Sequence, residues 1–407
     1  MGVLGFLKNS IQSGINTLFG RVNQFLARSR KPAFPLADRL LADAFRLGQI
    51  PSPTEHENER ASFIAERLSI LNIPYVVDED GNILGSLHSL NETDISREPL
   101  LVFTRLVSER WNSLESLGKL ELHYAQGAGF ADALGPAALL SVAEAYAEGR
   151  LASERDICLF FSVQHLDDPV MDTFRIVTSP SSFNPSRAIG VRGFMLGEIT
   201  RHTLGSYRAM MTLSEEEGQK ADDNAVVSAL CLLPRNFQKA VEAFGPEISL
   251  YFKRVEAQSS YSHTPTEGIL EIELESDKKE ILETAMENIK AVADTTANTL
   301  VKGSFRIIAF IPPGDPSLSE ELAGIVIKEM KELKINVVEE AKPDPASFLS
   351  AAGIPALSIG IASGREGLSV DTVEIASIEK GRLLLERSII QAGKIRQNES
   401  DQKNQGV

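Results

Sequence analysis

Asp132, His165, Asp167 and Asp168 are the residues of this chain whose types and surroundings suit chemistry. The run Gly127-Ala-Gly-Phe-Ala-Asp132-Ala-Leu-Gly135-Pro-Ala-Ala-Leu-Leu140 is a small-residue turn that delivers one carboxylate to the start of an apolar helix. A carboxylate there is either stabilised by the helix dipole or holds a metal ion. His165 closes the apolar run Asp156-Ile-Cys-Leu-Phe-Phe-Ser-Val163, so it belongs at a strand end. A histidine in that position is a metal ligand, a general base or a hydrogen-bonded polar residue. With the carboxylates Asp167 and Asp168 it makes a donor set suited to zinc or manganese.

The elements that must position these groups follow from apolar patterning. Leu100-Leu-Val-Phe103 and the run ending at Val163 are short and continuously apolar, as buried strands are. The helix after Asp132 extends to about Glu148. Upstream, Ile50-Pro-Ser-Pro-Thr54 leads into a helix with Thr54 as N-cap and Glu57 three residues on, and with Phe63, Ile64, Leu68 and Leu71 on its buried face. Pro74-Tyr-Val-Val77 and Ile83-Leu-Gly-Ser-Leu87 flank the tight turn Asp78-Glu-Asp-Gly-Asn82. Alternating strands and helices predict an α/β sheet covered on both faces.

Near Gly197 the pattern changes. Tyr207-Arg-Ala-Met-Met-Thr-Leu213 and Ile269-Leu-Glu-Ile-Glu-Leu-Glu275 alternate like half-exposed strands, and 279–298 reads as a helix. The α/β character returns with Phe305-Arg-Ile-Ile-Ala-Phe310, a helix over 319–333, the strand Gly353-Ile-Pro-Ala-Leu-Ser-Ile-Gly360 and a last helix over 377–396. The expected organisation is a basic arm (1–37), a main domain assembled from 38–196 and 304–398, an inserted α+β lid (197–303) and a polar tail (399–407). A chain of 407 residues exceeds what one core usually serves, which agrees with two domains.

A formal net charge of -15 argues against nucleic acid as a partner, and one Trp among few aromatics offers no platform for stacking bases. Cys158 and Cys231 both sit in apolar runs and read as buried thiols in a reducing, cytoplasmic compartment. The arm differs from the rest of the chain. It has no acidic residue before Asp38, carries Lys8, Arg21, Arg28, Arg30 and Lys31, and repeats Leu4, Leu7, Ile11, Ile15, Leu18, Val22 and Phe25 at helical spacing. It has two readings: a helix packed on its own domain or a partner subunit, and an interfacial helix on an anionic membrane.

Four landmarks, taken in order, resemble zinc exopeptidases of the peptidase T and acetylornithine deacetylase type. Ile50-Pro-Ser-Pro-Thr54 with its helix, then Asp80-Gly-Asn-Ile-Leu-Gly85, is similar to the opening of those enzymes. The Asp132 turn follows. Gly353-Ile-Pro is similar to the family's Gly-Ile-Pro strand, and Val373-Glu-Ile with Ile378-Glu-Lys-Gly381 to its closing helix. The resemblance implies a doubly covered mixed sheet with an inserted lid, and a homodimer formed through that lid. It also implies five metal ligands and a Glu general base around two zinc ions.

Placed on this chain, the family's pattern puts Asp132 at the bridging aspartate and His165 where the base would stand. Arg105 takes the place of the first His, Val107 of its partner Asp, Leu166 of the carboxylate ligand, and Pro345, beside Asp344, of a later Asp. The closing His falls near Leu368. A guanidinium cannot ligate a cation. The expectation is therefore a catalytically inactive homologue without a cofactor, acting by binding or assembly. The alternative is an active metallo-hydrolase, an aminopeptidase or deacylase, with zinc relocated to Asp132, His165, Asp167 and Asp168.

Overall fold

The computed structural model describes residues 35–53, 56–88, 98–108, 118–163, 185–215, 224–260, 263–299, 301–367 and 370–394. The amino-terminal arm to residue 34, Thr54, the segment 164–184 with His165, Asp167 and Asp168, and the tail lie outside the described residues.

Eight strands form the main sheet. Their spatial order is Tyr75–Val77, Ile83–Leu87, Ile157–Ser162, Leu100–Arg105, Arg187–Leu196, Ala356–Gly360, Glu198–Thr200 and Val338–Glu339. The four strands from Ile157–Ser162 to Ala356–Gly360 run parallel to their neighbours. Glu198–Thr200 and Ile83–Leu87 lie antiparallel beside them, and Tyr75–Val77 is antiparallel to Ile83–Leu87, so the sheet is mixed.

Alternation along Leu100–Arg105 shows why both faces are covered. Leu100 and Val102 join the larger core beneath Leu36–Gln49, Asn58–Ile70, Phe130–Ala147, Glu320–Glu332 and Ile375–Ala392. Leu101 and Phe103 point the other way, into a smaller core with Phe160, Ala188, Ala346 and Leu349. Phe130–Ala147 is buried along almost its whole length, which explains its lack of a polar stripe. The expected α/β class, with a doubly covered mixed sheet and a second antiparallel sheet, is what the chain adopts.

That second sheet orders Ser249–Ser260, His263–Ser276, Thr203–Ser214 and Lys302–Ile311, antiparallel to one another, and Lys342–Pro343 adds a short parallel pairing to the start of Thr203–Ser214. Ala225–Val241 and Lys279–Thr299 cover one face, around Met211, Phe237, Leu274 and Ile289. The sequence placed Phe305 to Phe310 in the main sheet, and the structure corrects this. Phe305 pairs with Met211 and Ile307 with Ala209, and both pack on the second core. Periodicity identifies a strand but not its sheet, and the short link from Lys279–Thr299 to Lys302 leaves no length to cross over.

The near boundary shifts too. Glu198–Thr200 pairs in the main sheet, so the strand that enters the second sheet begins only at Thr203. A second correction concerns Cys231, which is exposed. Its helix buries Val226, Ala229, Leu230, Leu233 and Phe237, and position 231 falls off that stripe. Cys158 is buried, and desolvation pushes its thiol up to about 12, which keeps it protonated and unreactive.

A third, small sheet orders Gly364–Arg365, Asp371–Glu374, Tyr124–Gly127 and Lys119–Leu120. Its register sets Asp371 opposite Gly127, at the doorstep of the Asp132 turn.

Candidate functional site

Asp132 is positioned by that pairing. The chain leaves Tyr124–Gly127, turns through Gly129 at φ 63°, a left-handed conformation that glycine takes without a Cβ clash, and enters the helix at Phe130. Asp371, 1 % exposed, accepts from the Ala131 amide through Oδ2 at 3.1 Å and from the Gly367 amide through Oδ1 at 3.2 Å. Asp132 follows in the first turn, and its Oδ2 accepts from Ser108 Oγ at 2.8 Å.

Beneath it lies a buried cation. Arg60 is 0 % exposed; its Nε donates to the Ile50 carbonyl and its Nη1 to the Leu106 carbonyl, both at 3.0 Å. Ser52 Oγ donates to the same Leu106 carbonyl at 3.0 Å, and the Ser108 amide donates to the Ser52 carbonyl at 2.6 Å. The Ile50-Pro-Ser-Pro segment is thus stitched to the end of Leu100–Arg105, and Arg60 is the stitch. Burial lowers the Arg60 guanidinium to about 10, against the attraction of Asp132 and Glu57.

Burial is also the main influence on Asp132 and raises its carboxyl above the ordinary aspartate range. The Ser108 hydrogen bond, Arg105 and Arg60 pull it back only in part, and Asp371 adds to the rise. A raised folded-state pKa means that the folded protein holds this proton more tightly than the unfolded chain. Asp132 therefore favours folding below the ordinary aspartate pKa, and that contribution is lost as pH rises through the raised value. Asp132→Asn should flatten the stability profile across that interval, with the variant's advantage over wild type growing as pH rises through it. Urea midpoints measured at half-unit steps from pH 3.5 to 7 check this; a profile as steep as wild type would refute it.

A cleft of about 220 Å³ opens beside Asp132, lined among others by Arg105, Val107, Arg192, Met195, Lys342 and Glu366. Arg105 and Val107, at the positions expected of ligands, therefore face the same space as Asp132. Asp344 is elsewhere engaged: buried, with Oδ1 accepting from Ser358 Oγ at 2.6 Å and from the Ala346 amide at 2.9 Å. Among the described residues no group of three His, Cys, Asp or Glu side chains converges as metal ligands would. Among the described residues the donors do not fit a pair of zinc ions: of the two carboxylates lining the cleft, Asp132 is desolvated, committed to Ser108 and within the field of Arg105 and Arg60, and Glu366 adds only one more. His165, Asp167, Asp168, Leu166 and Leu368 fall outside the described residues.

Several residues here escaped the sequence reading. Arg60 precedes Ile64 and Leu68 by four and eight positions, so the helical stripe already marked it as buried. Asp371 shares the inward phase of Val373. Arg192, Glu198 and Lys342 carried no such signal. Arg192 Nη2 meets Glu198 Oε1 at 2.7 Å and donates to Thr200 Oγ1 at 2.9 Å, and Lys342 Nζ pairs with the same Glu198. Burial alone would raise Glu198, but Lys342 and Arg192 hold it below the usual glutamate range.

No protein-family model matches this chain, and no curated protein matches it in sequence. Solved structures do match its fold. Aminopeptidase PepT from Bacillus cereus superposes with a TM-score of 0.64 at 12% identity, over 88% of this chain and 99% of its own. A tripeptidase from Staphylococcus aureus gives 0.65 at 15% identity, covering 88% and 98%. A dinuclear metal-binding peptidase of the M20 family from Bacillus subtilis gives 0.57 at 13%, covering 88% and 98%. Identities this low establish a shared M20-peptidase-type fold and leave the chemistry to this chain's own residues.

Proposed function

We propose that this chain is a non-catalytic protein built on the M20 peptidase scaffold, acting by binding or assembly rather than by hydrolysis. The observation that carries the reading is the surroundings of Asp132. Where hydrolysis by paired zinc ions would need further ligands, Arg105 and Val107 share the cleft with it, and Arg60 supplies positive charge from beneath. A fixed guanidinium repels an incoming divalent cation and donates no lone pair to it. The printed names of the similar structures, aminopeptidase and tripeptidase, set the activities to test.

Protein purified without chelator should contain well under one zinc per chain by elemental mass spectrometry. It should show no turnover of di- or tripeptides or acylated amino acids. Two tightly held zinc ions, or turnover abolished by Asp132→Ala, would replace this reading with the alternative of a metal site using Asp132, His165, Asp167 and Asp168.

Assembly is the other half of the proposal. The second sheet ends in Ser249–Ser260, an edge strand exposing Tyr251 and Val255 at 45% and 57%. An unpaired edge of that length pairs readily with a second copy. We assign it, with the three antiparallel strands of its sheet and two long helices, to an excisable lid whose ends lie near residues 201 and 311. The arm's attachment to a subunit or an anionic membrane remains part of this proposal, and no described helix is long and apolar enough to cross a bilayer.

A further inference from the structure

We propose that the cleft beside Asp132 is a binding site for a small oxyanion, a carboxylate or phosphate group, held by Arg105 and Arg192. This rests on the reading that the cleft binds rather than hydrolyses. Its place in the sheet supports a ligand site. Leu100–Arg105 and Arg187–Leu196 are parallel neighbours, and Arg105 ends the first while Arg192 lies in the second. From the first the main sheet continues at Ile157–Ser162 on one side, and from the second it continues at Glu198–Thr200 on the other, beyond Ala356–Gly360. The crevice outside the carboxyl ends of strands at such a switch point is where open α/β sheets place ligands.

The charges there are unevenly committed. Arg105 is exposed, and its side chain has no ion pair or hydrogen bond to a described residue, only the field of Asp132. Arg192 gives Nη2 to Glu198 and Thr200, while its buried Nε lacks a hydrogen-bond partner and lies 3.9 Å from Asp344 Oδ2. Lys342 is paired with Glu198 and Glu340. The carboxylates that face the space are Asp132, which is hydrogen-bonded to Ser108, and Glu366. With Arg192 and Lys342 committed to Glu198, Arg105 is the lining cation without an ion pair to a described residue. A planar guanidinium matches an oxyanion with paired N–H donors. The volume, about 220 Å³, is below that of sites for drug-sized molecules and limits the ligand to a small one.

Calorimetric titration of the full chain at low ionic strength tests this, with inorganic phosphate in one arm and succinate in the other. Saturable binding is expected in at least one arm, and the arm that binds identifies the group. Arg105→Gln should weaken it about tenfold or more, as loss of a charge-assisted bond does. Arg254→Gln, at an exposed arginine of the second sheet, should leave it unchanged. Circular dichroism verifies that both variants fold. No binding in either arm, or binding that Arg105→Gln leaves intact, overturns the site. Zinc content and peptide turnover of the same batch separate the two readings: turnover alongside Arg105-dependent binding sinks only the non-catalytic reading, and neither binding nor turnover sinks only the oxyanion site.

Discussion

Arg60→Met should lower the free energy of unfolding by about 3 kcal/mol, because buried acceptors are left short of their donors. The arginine is wholly buried, so solvent cannot screen its loss. Methionine fills a similar volume but returns none of the donors. The Ile50 carbonyl loses its Nε–H partner, the Leu106 carbonyl keeps only Ser52, and Asp132 loses a neighbouring positive charge. Each orphaned buried acceptor costs about 1–3 kcal/mol. Asp132 limits the damage by taking up a proton, because burial already raises its carboxyl. Asp132→Asn in the Arg60→Met background should therefore recover part of the loss, with a coupling energy of about 1 kcal/mol in a double-mutant cycle. Additive effects would mean that the two groups do not interact. An Arg60→Met protein as stable as wild type would mean that Arg60 is not buried as described.

Gly381→Ala should cost about 3 kcal/mol or more, or abolish folding, although alanine raises intrinsic helix propensity by about 1 kcal/mol. Gly381 lies within Ile375–Ala392, where that helix crosses the residue after the Ala356–Gly360 strand. A Cβ at 381 would stand 1.6 Å from the Ile361 carbonyl oxygen and 2.4 Å from its carbon. Both are backbone atoms, and they cannot retreat freely. The Ile361 amide donates to the Arg192 carbonyl at 3.1 Å and the Ala362 amide to the Gly193 carbonyl at 3.0 Å. Displacing them pulls on Arg192 and Gly193, which line the cleft. The sign decides the matter: urea denaturation showing a midpoint at or above wild type would mean that the helix is not in contact there.

The local elements were legible because each announces itself by a short-range rule. Leu100 to Phe103 and the run ending at Val163 read as buried strands and are the strands Leu100–Arg105 and Ile157–Ser162. The turn through Gly129 placed Asp132 in the first turn of a buried helix, as its small residues and apolar continuation required. Strand Phe305 to Phe310 was legible as a strand, yet its sheet was not, since its partner Thr203–Ser214 is about a hundred residues away. Cys231 was misread because an apolar run does not reveal which face of a helix a residue occupies.

What the sequence determined by itself was therefore the α/β class, the change of pattern where a second sheet is inserted, and the arrival of one carboxylate at a helix start. Those depend on periodicity and turn chemistry within a few residues. What only the tertiary structure decided was the company that carboxylate keeps. Arg60 and Ser108 come to Asp132 from 72 and 24 positions upstream and Asp371 from 239 downstream, while Arg192 and Lys342 reach the cleft from two further segments. Charges act through space with an energy that falls with distance and with the dielectric around them. Whether Asp132 is a metal ligand or the neighbour of arginine charges, one of them buried, is therefore set by chain packing, which no local pattern encodes.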